Sequence, residues 1–280
     1  MELRLTTLSE NTASPMPRGL LGEWGLSVLV EKDDLKVLLD AGQNISTVNN
    51  GDILGMEWSK IDKIVLSHGH YDHTGGLWHV LCRMKKQVEI VAHPDAWKAK
   101  YAYVQETGYS PYIGIPYQKE ALETLGAQFK LTAKPTWLSD NIVTSGVIPM
   151  ITEYEATDAG LYFKEGGDLL PDLFQDDQAL FIKTGLGLVV VLGCAHRGII
   201  NTLRHAQQVT GVEVINTVIG GTHLFRASDV QLERTVAELK TMGIQRLGVS
   251  HCTGMLAGAR LAQEFGPIFF FNNTGTSIAL

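Results

Sequence analysis

The densest group of possible metal ligands lies in the segment SHGHYDHTGGL, residues 67–77. It places His68, His70, Asp72 and His73 within six consecutive positions. Neutral imidazole is a good ligand for zinc, iron and similar ions, and a carboxylate adds negative charge. One ion could not take all four groups from so short a stretch and stay open to a substrate. We therefore expect two ions, with His68 and His70 on one and Asp72 and His73 on the other.

Both ions would need further ligands from distant parts of the chain. In the second half, three successive apolar runs lead into histidines, namely LGLVVVLGCAH into His196, VINTVIGGTH into His223 and RLGVSH into His251. Ligands in α/β proteins commonly gather at the carboxyl ends of strands. The second half can therefore complete the site. Three roles remain possible for His223: a metal ligand, a residue that contacts the substrate, or a histidine with a structural role.

The residues around the first group predict a strand, a loop, a helix and a strand. Residues 25–31 and 36–42 read as a hairpin, and residues 63–70 read as a third strand that runs into the histidines. A helix follows, because apolar side chains recur there at i, i+3, i+4 and i+7 (Leu77, Val80, Leu81 and Met84). Residues 88–94 complete the βαβ step as a strand.

The second half repeats this alternation. Residues 179–196 read as two strands joined by a glycine-rich turn, and residues 214–224 and 246–254 read as two more. The intervening helices are marked by apolar stripes and by a capping box (Ile199, Leu203 and Ala206; then Ser228 with Gln231, followed by Leu232, Val236 and Leu239). No low-complexity linker separates the halves. We expect residues 1–280 to form one domain built of two similar α/β halves.

Residues 97–117 differ from their surroundings because they are rich in aromatic side chains. Glycine and proline residues within the segment break regular structure. The aromatic residues are Trp97, Tyr101, Tyr103, Tyr109, Tyr112 and Tyr117. Two interpretations are open: a surface excursion whose rings pack on the body of the protein, or a lid that offers flat faces to a ring-bearing substrate.

Composition restricts the class of protein. An apolar share of 45% with 19% charged residues is typical of a globular chain, and the formal net charge of −7 argues against a nucleic-acid substrate. We find no signal-peptide pattern and no apolar run of the ~18 residues that a membrane span needs. Three widely spaced cysteines do not suggest a disulfide framework (Cys82, Cys194 and Cys252). We expect a cytoplasmic protein that acts on a small molecule, with no nucleic-acid or membrane partner; its oligomeric state stays open.

The residues also resemble a known family. The run from His68 to His73 matches the H-x-H-x-D-H signature of the metallo-β-lactamase superfamily, and LLDAG, with Asp40, resembles its first motif. The succession SHGHYDHTGGL, GCAHRGIIN, GGTHL and SHCTG looks like the subgroup of dihydropterin-linked ribofuranosyl-aminobenzene phosphate synthases. The resemblance covers about residues 25–275. It implies an α/β fold of the four-layer αββα type, with two mixed β-sheets flanked by helices and the metal site at one edge.

The sequence departs from the superfamily pattern at the third and fourth motifs. Relatives such as glyoxalase II carry a third-motif histidine before a strand that leads to Gly-Asp, whereas here the stretch is PDLFQDDQAL and the pair is Gly193-Cys194. We expect His196 to supply the missing ligand, with Asp176 or Asp177 in reserve. Cys194 is either a thiolate ligand or a small buried residue. His251 stands where the superfamily places its last histidine ligand.

The predicted metal ligands are thus His68, His70, Asp72, His73, His196 and His251. They would hold two divalent ions, zinc first and iron or manganese as alternatives, which could share a bridging hydroxide that attacks a carbonyl or phosphorus atom. Asp72 could also accept or orient a proton, and Ser67 and Asp40 could orient the ligands.

The leading hypothesis is therefore a metal-dependent hydrolase of a small ester, phosphoester or pterin-linked substrate, or a related group transferase. The alternative is a metal-binding sensor or scaffold without turnover.

Overall fold

Two seven-stranded β-sheets and seven α-helices dominate the structure, a computed structural model that describes residues 3–105 and 107–280. The strands are β1 (Leu3–Ser9), β2 (Ser27–Lys32), β3 (Leu35–Leu39), β4 (Lys63–Val65), β5 (Val88–Ala92), β6 (Ala99–Ala102), β7 (Ala127–Leu131), β8 (Thr136–Ser139), β9 (Ile142–Thr144), β10 (Leu161–Glu165), β11 (Asp168–Pro171), β12 (Ala179–Thr184), β13 (Gly187–Leu192), β14 (Ile215–Gly221), β15 (Arg246–Ser250), β16 (Phe269–Phe271) and β17 (Ser277–Ala279). The helices are α1 (Ser46–Ile53), α2 (Tyr71–Thr74), α3 (Leu77–Met84), α4 (Lys119–Thr124), α5 (Ile199–Thr210), α6 (Asp229–Thr241) and α7 (Met255–Phe265).

The first sheet has the strand order β17-β1-β2-β3-β4-β5-β7. Strands β2 and β3 pair antiparallel, and Lys32 lies opposite Leu35, which confirms the hairpin predicted around residues 32–34. Strands β3, β4, β5 and β7 run parallel. The sheet is therefore mixed, and its parallel part carries the βαβ step that ends in the histidine-rich loop.

The second sheet has the order β16-β15-β14-β13-β12-β9-β8. Strands β13 to β16 pair parallel, whereas β12 pairs antiparallel with both β13 and β9. All six residues of β13 are buried, as expected of an apolar strand with both faces covered. Because β13, β14 and β15 are parallel, the residues that follow them lie at one edge of the sheet.

Three layers of apolar side chains separate the elements. One layer lies between the sheets and joins residues such as Val28 and Val65 of the first to Leu180 and Val191 of the second. A second layer packs α3 and α4 on the outer face of the first sheet, and a third packs α5, α6 and α7 on the outer face of the second. Burying each such side chain contributes about 1.5–3 kcal/mol. The predicted αββα sandwich is confirmed.

The helix predictions also hold. In α3 the four buried residues are the predicted ones, Leu77, Val80, Leu81 and Met84. The start of α6 is capped as expected, since the Ser228 hydroxyl accepts a hydrogen bond from the Gln231 backbone N–H at 3.2 Å. The periodicity of apolar residues therefore predicted the buried face of α3, and the capping box predicted where α6 begins.

Several elements were not predicted. Strands β1 and β17, near the two ends of the chain, pair antiparallel at the edge of the first sheet. Strands β6, β10 and β11 form a separate three-stranded sheet, so residues 97–117 begin with regular structure. None of the helices within residues 3–105 and 107–280 combines the length and hydrophobicity that a membrane crossing requires.

Candidate metal centre

The fold brings all six predicted ligands to one place. His68 and His70 lie in the loop after β4, and Asp72 and His73 lie on the short helix α2 that continues it. The second sheet contributes the remaining residues from the ends of the two parallel strands that flank β14: His196 after β13 and His251 after β15. All six side chains are buried. The site therefore lies where strand ends of the two sheets meet.

Three imidazoles form the first group of donor atoms. The Nε2 atom of His68 lies 2.9 Å from Nδ1 of His70 and 3.3 Å from Nε2 of His196. The Cys194 sulfur stands within 4.8 Å of the donor atoms of His68 and His196. Of the alternatives considered for the missing ligand, His196 and Cys194 therefore both lie beside His68.

The second group joins α2 to the end of β15. The Nε2 atoms of His73 and His251 are 3.3 Å apart, and Nε2 of His251 lies 3.2 Å from Oδ2 of Asp72. The Cys194 sulfur lies 3.1 Å from Nε2 of His73, so Cys194 stands between the two groups. Asp72 and His73, which the sequence predicts to share an ion, lie near each other, with Oδ2 of Asp72 4.0 Å from Nε2 of His73, and His251 contacts both.

Asp40 and Ser67 fix the orientation of two of these rings. The Asp40 carboxylate accepts hydrogen bonds from the Ser67 backbone N–H and hydroxyl, each at 2.7 Å, and lies 2.7 Å from Nδ1 of His73. Since the Ser67 hydroxyl proton goes to Asp40, its oxygen accepts from Nδ1 of His68 at 2.9 Å. Both Nδ1 atoms therefore carry protons, and Nε2 is the atom of each ring that faces the site and can bind a metal once it is unprotonated.

Asn11 does the same for His251 and was not identified from the sequence. Its side-chain oxygen lies 2.9 Å from Nδ1 of His251, and its amide nitrogen donates to the His251 carbonyl at 3.3 Å. Glu10 accepts from the His251 backbone N–H at 2.7 Å. The Nε2 lone pair of His251 is consequently aimed at Asp72 and His73. A lone asparagine far from any motif gave no signal for this role.

Replacing Asn11 with alanine should weaken metal binding at the group of Asp72, His73 and His251. Loss of a residue that orients a ligand typically costs about 10–100-fold in metal affinity. The effect can be measured by zinc titration against a competing chelator. Asn44 offers a matched control, because its side chain contacts His79 at 3.1 Å on the protein surface. An affinity in Asn11→Ala equal to that in Asn44→Ala would contradict this role.

Gly69 is required between His68 and His70 because the chain passes very close to Ala96. A Cβ at position 69 would lie 2.0 Å from the Ala96 carbonyl oxygen, which belongs to the backbone and cannot move cheaply. The Gly69 N–H donates to Oδ2 of Asp176 at 2.8 Å. The close approach to Ala96 and the hydrogen bond to Asp176 together fix the position of the loop that carries the two histidines.

Replacing Gly69 with alanine should therefore destabilise the fold and disturb the first group of ligands. Forcing extra atoms into a packed site costs about 1–3 kcal/mol, measurable by urea denaturation together with zinc content. Gly185 serves as the control, since a Cβ there would meet nothing within 4 Å. If Gly69→Ala unfolds at the same urea concentration as Gly185→Ala and retains its zinc, the close approach has no consequence.

Asp176 and Asp177, the reserve ligands, have other roles in the structure. Asp176 accepts from Gly69 and from the buried Lys100 ammonium, the latter at 2.9 Å. Asp177 accepts from the Arg197 backbone N–H at 2.9 Å, and burial raises its pKa to about 7. The stretch without a histidine thus supports the loops around the site.

Burial and nearby charges separate the histidines into two classes. Burial lowers the pKa of His68 and His196 well below the ordinary value and lowers that of His70 to about 3. Burial also acts on His73, but the carboxylates of Asp40 and Asp72 outweigh it and raise its pKa to about 9. The first group is therefore neutral imidazole, the form that binds metals.

The backbone around the site is strained. Five residues without a glycine's freedom adopt the left-handed region, with φ between 50° and 59°: Asp40, Phe174, Ala195, His223 and His251. Each such conformation costs on the order of 1–3 kcal/mol and persists only where the surroundings impose it. Strain of this kind concentrates at functional sites. Here it occurs at His223 and His251, the two histidines that follow β14 and β15 at the site.

A cavity of about 340 Å³ opens beside the donor groups. The aromatic rings in its wall are Trp24, Tyr71 and Phe225, together with His70, His196, His223 and His251. Segment 97–117 contributes Ala102 and Ile113 instead of its tyrosines. The Tyr112 hydroxyl donates to the Ile115 carbonyl at 2.8 Å, within the segment itself. The rings that border the cavity thus come from outside segment 97–117, which favours the first interpretation of that segment, packing on the body of the protein.

The donor set fits divalent ions. Three Nε2 lone pairs, those of His68, His73 and His251, face other nitrogens or a carboxylate at 2.9–3.3 Å. The buried Nε2 of His70 has no hydrogen-bond partner among the described residues. Lone pairs that face one another repel unless a cation or proton lies between them. Imidazole nitrogen with carboxylate oxygen is a ligand set that zinc accepts.

The chain is similar in sequence to known proteins. Residues 25–200 match the family model described as the metallo-beta-lactamase superfamily. The chain is 31% identical, over 95% of its length and 93% of the relative's, to a Methanocaldococcus jannaschii protein named 7,8-dihydropterin-6-methyl-4-(beta-D-ribofuranosyl)-aminobenzene-5'-phosphate synthase. An uncharacterized protein of that organism, MJ0448, is 32% identical over 91% of this chain and 93% of its own length.

Solved structures agree. The crystal structure of Tm1679, described as a metal-dependent hydrolase of the beta-lactamase superfamily, superposes with a TM-score of 0.84 and 27% identity over 99% of this chain and 98% of that one. Zinc-bound PqqB from Methylobacterium extorquens shares the fold at a TM-score of 0.54 and 13% identity, over 99% of this chain and all of that one. The chain therefore belongs to the metallo-beta-lactamase superfamily.

Proposed function

We propose that the protein is a metal-dependent enzyme that hydrolyses, or transfers a group from, a small ester or phosphoester. One observation carries the proposal: imidazole lone pairs held in place by Asp40, Ser67 and Asn11 converge with a buried carboxylate beside a cavity. Orientation of ligand rings by fixed hydrogen-bond partners is what metal sites require. A group of histidines serving only to fill the core would not need it.

Two ions would divide the ligands as the distances suggest. His68, His70 and His196 would hold one, and Asp72, His73 and His251 would hold the other, with the Cys194 sulfur placed between them. Bound divalent ions supply Lewis acidity and lower the pKa of water toward ~7. Zinc suits this mixture of nitrogen, oxygen and sulfur best, with iron and manganese as alternatives.

The chain's own residues would then bind, orient and exchange protons. Asp72 lines the cavity, and its Oδ2 atom is in contact with His251, so this carboxylate can accept or orient a proton at the reacting end. Trp24, Tyr71 and Phe225 offer apolar faces to the substrate and exclude water from that side. Catalysis needs no protein nucleophile.

The substrate class follows from the cavity wall and from the relative's name. Stacking on an aromatic side chain contributes about 0.5–1.5 kcal/mol beyond area burial, and three such rings border the cavity. Arg226 also lines it and pairs with Asp158 at 3.3 Å, so a guanidinium stands near any phosphate on the substrate. We therefore propose a substrate with a flat ring and a phosphate or ester, as in pterin-linked chemistry.

Turnover by metal-loaded protein tests the proposal. Zinc- and manganese-loaded protein should hydrolyse bis(p-nitrophenyl) phosphate or p-nitrophenyl acetate, and His68→Ala should abolish the reaction. His79→Ala is the matched control, because His79 is not among the buried residues of α3 and its ring contacts Asn44 at the surface. A fully metal-loaded protein that turns over neither these substrates nor a pterin-linked riboside phosphate would favour the alternative, a metal-binding sensor or scaffold.

A further inference from the structure

A third group of donor atoms lies beside the two described above and consists of three residues outside the six proposed ligands. The donor atoms of Cys194, His223 and Cys252 all stand within 4.8 Å of one another. Cys194 and Cys252 are buried, and 14% of the His223 side chain is exposed. They come from the ends of three adjacent parallel strands, β13, β14 and β15. Two thiols and an imidazole thus converge at one edge of the second sheet.

Ordinary hydrogen bonds do not account for this group. Neither ring nitrogen of His223 has a hydrogen-bond partner among the described residues. The nearest carboxylate oxygen, Oδ2 of Asp158, lies 3.9 Å from Nε2, beyond hydrogen-bond distance. Within residues 3–105 and 107–280, the Cys252 thiol donates one hydrogen bond, to the Cys194 carbonyl at a long 3.5 Å. Two buried ring nitrogens without partners are costly, so an interaction with a ligand is expected.

The local backbone is adapted to this convergence. His223 adopts a left-handed conformation, with φ of 51°, that is uncommon for residues other than glycine. Gly221 leaves room for the second thiol, because a Cβ there would lie 2.7 Å from the Cys252 sulfur. All three residues also border the cavity. The group is therefore packed on one side and open to a small molecule on the other.

We propose that Cys194, His223 and Cys252 form a further metal position, selective for a soft ion such as zinc or copper(I). Thiolate and imidazole are the ligands that such ions prefer, whereas manganese prefers oxygen. Binding of a divalent ion would release the two thiol protons to solvent, leaving two thiolates and one neutral imidazole as ligands. The cavity side supplies the fourth, exchangeable position. Cys194 also belongs to the two neighbouring groups of donor atoms, so this ion would lie beside the two metal ions proposed above.

Metal content and cobalt spectra of four variants test this site. We expect Cys252→Ser and His223→Ala each to bind one equivalent of zinc fewer than the unmodified protein. In the cobalt-loaded protein, Cys252→Ser should lose part of the near-ultraviolet thiolate-to-cobalt absorption. The controls are Cys82→Ser, which removes an exposed thiol, and His79→Ala, which removes an exposed imidazole. Both controls should match the unmodified protein in zinc equivalents and in spectrum.

The outcome can be separated from that of the two-ion proposal. An ion that is lost in Cys252→Ser but kept in His68→Ala would support this position even if the pair of ions proved wrong. Should the two variants misfold, cadmium-113 NMR of the unmodified protein replaces them: we expect one resonance displaced downfield by two thiolate ligands. Unchanged zinc equivalents and an unchanged cobalt spectrum in both variants, or the absence of such a resonance, would overturn the proposal.

Discussion

Replacing Lys100 with methionine should lower the free energy of unfolding by about 3–5 kcal/mol, the usual cost of leaving a buried charge without its partner. Lys100 is 1% exposed, and its ammonium lies 2.6 Å from Asp172 and 2.9 Å from Asp176. Methionine keeps most of the volume of the side chain but removes the charge that both carboxylates face. Urea denaturation measures the loss.

The same substitution should also disturb the loop that carries His68 and His70 in the metal centre. Asp176 also accepts from the Gly69 N–H, so a displaced carboxylate releases the loop between His68 and His70. Lys98 provides the control: it pairs with Asp95 at 3.0 Å, but about a third of each side chain is exposed, and such pairs contribute about 0–1 kcal/mol. A loss in Lys100→Met no larger than in Lys98→Met would contradict the structural role of this buried ion pair.

Replacing Asp40 with asparagine should produce the second large effect. All three of its contacts are accepted hydrogen bonds, from the Ser67 N–H, the Ser67 hydroxyl and His73. Asparagine has the same shape, yet in either orientation its amide nitrogen faces at least one of these donors. We expect a loss of about 2–3 kcal/mol from the hydrogen bonds to a charged group and about 10–100-fold weaker metal binding.

A surface aspartate gives the matched control for this change. Asp62 accepts one hydrogen bond, from the Lys36 backbone N–H at 2.8 Å, and an asparagine oxygen can accept it equally well. Asp62→Asn should therefore leave the unfolding free energy and the zinc affinity unchanged. Comparable stability and affinity in Asp40→Asn and Asp62→Asn would mean that Asp40 does not orient the metal loop.

Much of the site could be predicted from the sequence because its residues are local or follow apolar strands. Four of the predicted ligands lie within six consecutive positions: His68, His70, Asp72 and His73. The ends of parallel strands lie at one edge of a sheet, so His196 and His251 come close together although they are far apart in the sequence. The helix α3 was predictable because its periodicity fixes its buried face. Residues that stand in regular patterns can thus be assigned without a structure.

The residues that were missed act through distant contacts. Asn11 meets His251 across 240 positions, and Lys100 meets Asp176 across 76, with no motif that marks either one. Trp24 and Phe225, rather than the tyrosines of segment 97–117, border the cavity because the packing of loops decides which rings face it. Side-chain direction in loops follows from tertiary contacts, which sequence periodicity does not encode.

The position of bound metal tests the central claim most directly. Anomalous diffraction from crystals of zinc-loaded protein should locate one ion within ~2.5 Å of donor atoms of His68, His70 and His196, and another within that distance of Asp72, His73 and His251, given typical bonds of about 2.0–2.2 Å. Zinc found only on Asp176 or Asp177, or no zinc in contact with His196 and His251, would contradict the account.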